Sequence, residues 1–111
     1  MEKVNNNYKD RRIFQRFSVK LPVRFIDLYR NEEGEGFSQD ISAKGVGLVT
    51  EKKLSTYTPL ELWLNIPDGK EPLYVRGEVV WVNALDSFNY RVGINLERAD
   101  LMGISRILRL K

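Results

Sequence analysis

Short segments in which apolar and polar residues alternate run through most of this chain, and they constrain its fold more than any other feature. Alternation with a period of two puts one set of side chains on each face of a β-strand. Such segments lie at about residues 19–25, 36–41, 45–50, 60–66, 73–83 and 90–96. Turn-forming residues separate them at 31–34, 67–69 and 86–87. Six short strands with tight connections predict a mainly all-β fold, a small antiparallel barrel or sandwich.

The last part of the chain has a different period. After Asp100, the apolar residues Leu101, Ile104 and Ile107 follow helical spacing. Asp100 is a suitable N-cap, so we expect a C-terminal helix at about residues 98–110 that covers an open end of the barrel. In the strand before it, Trp81 shares a face with Val79, and we expect that tryptophan in the core.

Composition narrows the possible functions. The chain has 111 residues, contains neither cysteine nor histidine, and is 42% hydrophobic, which suits one domain with one core. Without cysteine and histidine, thiolate catalysis, a Ser-His-Asp triad and the commonest transition-metal sites are excluded, so we expect neither an enzyme nor a bound cofactor. No apolar run approaches the roughly 18–20 residues that cross a bilayer, so we expect a cytoplasmic protein without membrane insertion.

The charge is uneven along the chain. Residues 1–24 hold seven basic and two acidic side chains, whereas the rest is slightly acidic. We expect residues 1–10 to be a flexible lead-in and residues 11–111 to be a single domain, with the barrel at about 18–97. A basic end on an acidic body favours a local anionic partner, and it argues against a DNA duplex along the whole surface.

The first candidate site lies in the basic segment. Arg12 and Arg16 are spaced as RxxxR, and Arg11 precedes them directly. Guanidinium groups bind phosphate oxygens in a bidentate way, pair with the O6/N7 edge of guanine and stack on flat bases. The alternative is a solvated basic arm, because an RxxxR spacing arises often by chance in a chain this rich in arginine.

The second candidate site is the sequence DISAKG, spaced as DxSxxG. Asp40 can accept hydrogen bonds from a guanine or hold an arginine, and Ser42 can donate and accept at short range. Gly45 allows a ligand to approach the backbone closely. The same residues would also suit a plain hairpin turn.

Together, the two motifs resemble the PilZ domain family, the bacterial receptors of cyclic di-GMP. The RxxxR motif precedes the [Asp/Asn]xSxxG motif by about two dozen residues, and the segments GEVVWVN and YRVGINL resemble the closing strands of that family. The resemblance covers about residues 11–97. Leu96 stands where family members often have an aromatic residue, which bears on core packing.

The resemblance implies a six-stranded antiparallel β-barrel with a C-terminal helix. It implies a cyclic di-GMP site in which Arg12 and Arg16 face Asp40, Ser42 and Gly45. It also implies a receptor that changes conformation and signals to an unidentified downstream protein, as PilZ-like proteins do in motility, exopolysaccharide production and virulence.

Arg11 is a third arginine candidate for the ligand site, and three further residues are weaker candidates. Arg11 could stack on a second ligand molecule, a hypothesis that the RR doublet motivates. Arg91 and Gly93 share the polar side of their strand and could flank the ligand, although a solvated barrel exterior is the alternative. Gly47 could allow backbone approach or simply a bend in its strand.

Two other functions stay open at this stage. A small β-barrel could bind single-stranded nucleic acid through a basic groove and exposed aromatic rings. Its candidate stacking residues are Tyr8, Phe14, Phe17, Tyr29 and Trp63. Alternatively, the barrel could be a protein-interaction adaptor that binds no ligand.

Overall fold

The computed structural model describes residues 15–110, and these form a closed barrel with one helix. The strands are β1 (Phe17–Ser18), β2 (Pro22–Asp27), β3 (Glu32–Ile41), β4 (Gly45–Thr50), β5 (Pro59–Leu64), β6 (Leu73–Ala84) and β7 (Tyr90–Leu96). The helix, α1, is Leu101–Leu108.

All strand pairs in the described residues are antiparallel. The order is β1-β3-β2-β5-β6-β7-β4, and a further β3–β4 pairing closes β2 to β7 into a six-stranded barrel. The predicted fold class, a six-stranded antiparallel barrel with a C-terminal helix, is therefore confirmed. The two-residue strand β1 was not predicted; it pairs with the end of β3 outside the six-stranded ring.

One predicted turn is displaced. The chain turns at residues 28–31, and 32–34 already belong to β3, so the prediction of a turn over 31–34 was wrong. Asp27 explains the position, because its carboxylate accepts hydrogen bonds from the backbone N–H of Tyr29 (2.9 Å) and Arg30 (3.0 Å). Asn31 then adopts a positive φ of 56°, which asparagine tolerates better than most residues.

The barrel interior is apolar and tightly filled. Alternate residues point inward along most of each long strand, as the period of two requires, and the register shifts only after Ser38 in β3 and after Val79 in β6. The largest fully buried side chains include Phe25, Leu48, Leu60, Leu62 and Val92.

Helix α1 closes one end of the barrel. Ile104 and Ile107 turn inward against Leu64, Leu73 and Leu96 and leave a gap of only about 10 Å³. The predicted N-cap is confirmed, because Asp100 accepts a hydrogen bond from the backbone N–H of Gly103 at 2.8 Å.

An ion pair ties the outside of α1 to the loop between β5 and β6. The Arg106 guanidinium donates two hydrogen bonds to the Asp68 carboxylate, at 2.9 and 3.0 Å. These bonds lower the pKa of Asp68 from 3.8 to about 2. The helix is therefore held by apolar packing on its inner face and by a bidentate pair on its flank.

Candidate functional site

Of the two RxxxR arginines, the structure describes Arg16, and strand β1 positions it. Phe17 pairs with Ile41 and Ser18 with Asp40, so the residue before β1, Arg16, is carried to the end of β3. The buried Ser38 hydroxyl strengthens this placement. It donates to the carbonyl of Val19 (2.6 Å) and accepts from the N–H of Leu21 (2.9 Å), which fixes the link from β1 to β2 against β3.

Arg16 and Asp40 meet directly. The Arg16 Nη2 donates to Asp40 Oδ1 at 2.7 Å, and the side chains are 48% and 24% exposed, respectively. The structure thus brings together one residue from each predicted motif. The pair is half-open to solvent, so its own contribution to stability is small, but its groups remain accessible.

The rest of DxSxxG forms a tight turn between β3 and β4. The Ser42 hydroxyl accepts hydrogen bonds from the backbone N–H of Lys44 (3.1 Å) and Gly45 (3.0 Å), and the Ser42 N–H donates to the Gly45 carbonyl at 2.9 Å. Ser42 is buried, and its hydroxyl oxygen is occupied by these backbone bonds. Ser42 therefore shapes the turn. Because a hydroxyl group also carries a hydrogen, it can donate one hydrogen bond as well.

A cleft of about 540 Å³ opens beside this turn. Its lining residues are Arg16, Asp40, Ser42, Lys44, Gly45, Val80, Trp81, Arg91, Gly93, Ile94 and Asn95. The lining has three basic side chains and one acidic one, so an anion is favoured there. The volume falls within the roughly 300–1,000 Å³ typical of small-molecule sites.

The three weaker candidates lie on two paired strands, Gly47 on β4 and Arg91 and Gly93 on β7. Arg91 and Gly93 both line the cleft, as expected for residues on one side of β7. Gly47 pairs with both Asp40 and Gly93 across the sheet. The Nε of Arg91 is enclosed, and no described protein atom accepts a hydrogen bond from it.

Trp81 is a correction to the sequence analysis. It is 38% exposed and lines the cleft, so the prediction that it lies in the core was wrong. The strand register shifts between Val79 and Trp81, where Val80 is an extra residue, and such a bulge exchanges the inward and outward faces of a strand. The alternation of inward and outward residues in the sequence therefore predicts the faces of β6 correctly up to Val79 but not beyond it. The signal that could have located the bulge is the unbroken run of apolar residues 79–82.

Two predicted site residues, Arg11 and Arg12, lie outside the described residues. Their predicted roles stay predictions. The same holds for two of the aromatic residues considered for nucleic-acid stacking, Tyr8 and Phe14.

The other stacking candidates do not line this cleft. Tyr29 is 75% exposed in the β2–β3 turn, and Phe17 is half-buried. The Trp63 ring lies 5.3 Å from that of Tyr74 and 5.2 Å from the Arg24 guanidinium carbon. Trp63 borders a separate and larger groove of about 740 Å³, which includes no residue of either motif.

Residues 15–110 contain no group of acidic side chains that could hold a metal ion. None of the helices in these residues has the length and apolar content of a membrane span.

Known proteins are similar to this chain in sequence and in fold. A family model described as the PilZ domain matches residues 10–110. No curated protein sequence matches significantly. Among solved structures, MotI/DgrA, the inhibitor of motility from Bacillus subtilis, has a TM-score of 0.65 at 20% identity over 87% of this chain. This chain covers only 50% of the MotI/DgrA chain.

Two isolated PilZ domains give a fuller match. The YcgR domain from Escherichia coli, solved with c-di-GMP, has a TM-score of 0.68 at 14% identity, with 87% of this chain and 88% of that chain covered. The PilZ domain of CeSA, from a cellulose-synthesizing bacterium, has a TM-score of 0.60 at 19% identity and coverages of 86% and 93%. At such identities these likenesses show the fold, while the family model spans nearly the whole sequence. The chain belongs to the PilZ domain family.

Proposed function

We propose that this protein is a cyclic di-GMP receptor that works without catalysis. The observation that carries the proposal is the contact between Arg16 of RxxxR and Asp40 of DxSxxG at the mouth of one basic cleft. Either sequence motif, taken alone, is weak support for this function. Their meeting in space supplies a phosphate-binding fork beside a carboxylate that can accept from guanine N–H groups.

The ligand chemistry suits the residues that line the cleft. Cyclic di-GMP carries two phosphates and two guanines in a small ring. Arg16 can bind either kind of group, and Lys44 and Arg91 add positive charge around the cleft. Asp40 can bind the N1–H and amino groups of a guanine, which adenine does not present in the same pattern. Selectivity for guanine over adenine follows.

We infer that Arg12 and Arg11 join the site when the ligand binds. Both residues lie within five positions of Arg16 in the sequence, and clustered guanidinium groups repel one another until an anion neutralises them. Of the arm at about residues 8–17, Arg16 and Phe17 already lie against the end of β3. Ligand binding would then fix the preceding residues of the arm against the surface at 40–45. A ligand can drive such a change only through its preference for the closed arrangement.

The altered surface would in turn meet a downstream protein. Among the similar structures, an inhibitor of motility and a PilZ domain of CeSA from a cellulose-synthesizing bacterium suggest motility and exopolysaccharide production as outputs. We propose that the protein is a bacterial, cytoplasmic receptor. Capture of proteins that bind it only in the presence of cyclic di-GMP would identify its partner.

Calorimetric titration with cyclic di-GMP tests the proposal, with GTP and cyclic di-AMP as controls. Saturable binding of cyclic di-GMP alone is the expected result. Equal binding of cyclic di-AMP would contradict the guanine contacts, and no binding would overturn the receptor assignment and favour the ligand-free adaptor. Filter binding of single-stranded oligonucleotides with a steep salt dependence would instead support the nucleic-acid alternative.

A further inference from the structure

The turn between β3 and β4 has two sides. On one side, Ser42 and Gly45 line the cleft. On the other side, Ser42 also lines the small gap beneath helix α1, where it faces Asp100 and Ile104. Ala43, between the two cleft residues, is only 1% exposed. One turn therefore belongs both to the cleft and to the packing of α1.

Two backbone hydrogen bonds hold this turn from the side of α1. The N–H of Asp100 donates to the carbonyl of Ala43, and the N–H of Leu96 donates to the carbonyl of Lys44, each at 2.7 Å. Both acceptors lie within DxSxxG, so these bonds fix the backbone that shapes the edge of the cleft. Leu96 is the last residue of β7 and is held by strand pairing. Asp100 lies beyond the sheet, and the helix holds it.

Asp100 is bonded to the first turn of α1 at two points. Its Oδ1 accepts from the N–H of Gly103 at 2.8 Å, and its carbonyl accepts from the N–H of Ile104 at 3.2 Å. A Cβ on Gly103 would lie 2.6 Å from the other carboxylate oxygen, so the carboxylate lies directly against this glycine. Asp100 thus joins the helix, through its carboxylate and carbonyl, to the ligand turn, through its N–H.

We propose that Asp100 is a positioning residue of the ligand site and that it couples the order of α1 to the affinity for cyclic di-GMP. This inference rests on the proposed function and deepens it. Neither Asp100 nor any residue of Leu101–Leu108 lines the cleft, so the coupling passes through the turn. Opening of α1 releases the bond to Ala43 and loosens the turn that the ligand contacts. Coupling between sites is reciprocal, so bound ligand in turn holds α1 closed.

Two substitutions at Asp100 separate its capping bond from its charge. Asp100→Ala removes the cap, Asp100→Asn keeps it, and both remove the same negative charge. In calorimetry, Asp100→Ala is expected to bind cyclic di-GMP about two- to fivefold more weakly than Asp100→Asn, because loss of a typical N-cap shifts a helix equilibrium about fivefold. Equal affinities of the two variants would overturn the positioning role.

Backbone hydrogen exchange tests the reverse direction on the unaltered protein, so it does not depend on the folding of a variant. With cyclic di-GMP at about 100 times its Kd, exchange of the Gly103 and Ile104 N–H groups is expected to slow by up to about 100-fold, because the ligand binds only while α1 is closed. The N–H groups of Tyr29 and Arg30 are the internal control. They lie in the β2–β3 turn, which does not line the cleft, and their exchange is expected to stay unchanged.

The outcomes distinguish this inference from the proposed function. If the unaltered protein binds cyclic di-GMP and exchange at Gly103 and Ile104 does not change, the coupling is wrong and the receptor assignment stands. Equal slowing at Tyr29 and Arg30 would reflect a general gain in stability and would overturn the coupling in the same way. If calorimetry finds no binding to the unaltered protein, the proposed function fails and this inference fails with it.

Discussion

Arg16 and Asp40, 24 residues apart in the chain, form a 2.7 Å hydrogen-bonded ion pair at the mouth of the cleft. The pair joins the segment before β1 to the end of β3. It leaves Asp40 with a second carboxylate oxygen and Arg16 with further N–H donors, because the bond joins only Arg16 Nη2 and Asp40 Oδ1. A bound nucleotide can therefore use both residues without separating them.

Loss of either motif arginine is expected to weaken ligand binding. Arg16→Ala and Arg12→Ala should each lose about 1–3 kcal/mol of binding free energy, the usual range for a bidentate guanine or phosphate contact. Arg30→Ala is the matched control, because this exposed arginine lies in the β2–β3 turn and does not line the cleft. Unchanged affinity in both motif variants by calorimetry would remove the basis of the assignment.

Arg11 is expected to set the ligand stoichiometry. If its guanidinium stacks on a second, intercalated ligand, calorimetry should saturate above one ligand per chain, and Arg11→Ala should reduce the ratio to one. A ratio of one for the unaltered protein would contradict this role and leave the single-ligand site intact.

The hydroxyl of Ser42 is expected to matter for stability as well as for binding. Ser42→Ala removes the acceptor of two backbone N–H groups in a buried turn, which should cost about 1–3 kcal/mol of unfolding free energy. Urea unfolding measures this change. Ser87→Ala, in the exposed turn before β7, should be near neutral, and an equally neutral Ser42→Ala would show that the turn forms without the hydroxyl.

The contribution of the Asp68–Arg106 pair is expected to disappear in acid. The folded pKa of Asp68 is about 2, below its ordinary value of 3.8, so the pair stabilises the fold fully above pH 3.8 and loses this effect as the pH falls toward 2. Asp68→Asn should therefore unfold at lower urea concentration than the unaltered protein at pH 6, with the difference shrinking as the pH approaches 2. A difference that is constant with pH would show that the stabilisation does not depend on the ionised Asp68 carboxylate that accepts the Arg106 hydrogen bonds.

Helix α1 is expected to depend on its inner face. Ile107 is 1% exposed at the closed end of the barrel, so Ile107→Ala should cost about 2–5 kcal/mol of unfolding free energy. Its neighbour Leu108 is 41% exposed, and Leu108→Ala is the matched control with a much smaller effect. Thermal and urea unfolding measure both variants. If Ile107→Ala and Leu108→Ala destabilised the protein equally, the helix would not pack through this inner face.

The sequence alone determined the presence of the six barrel strands, the helix with its Asp100 cap and the two motifs, because these depend on local chemistry and on periods of two or 3.6 residues. It did not determine which face of β6 points inward after residue 79, since the extra residue at Val80 reverses the alternation and only strand pairing reveals it. The resemblance to the PilZ family predicted that Arg16 faces Asp40, but only the tertiary structure decided that the two side chains form an ion pair and that Gly47 lies beside Gly93. Both contacts depend on the register between distant strands, which the closed barrel fixes and no local pattern records.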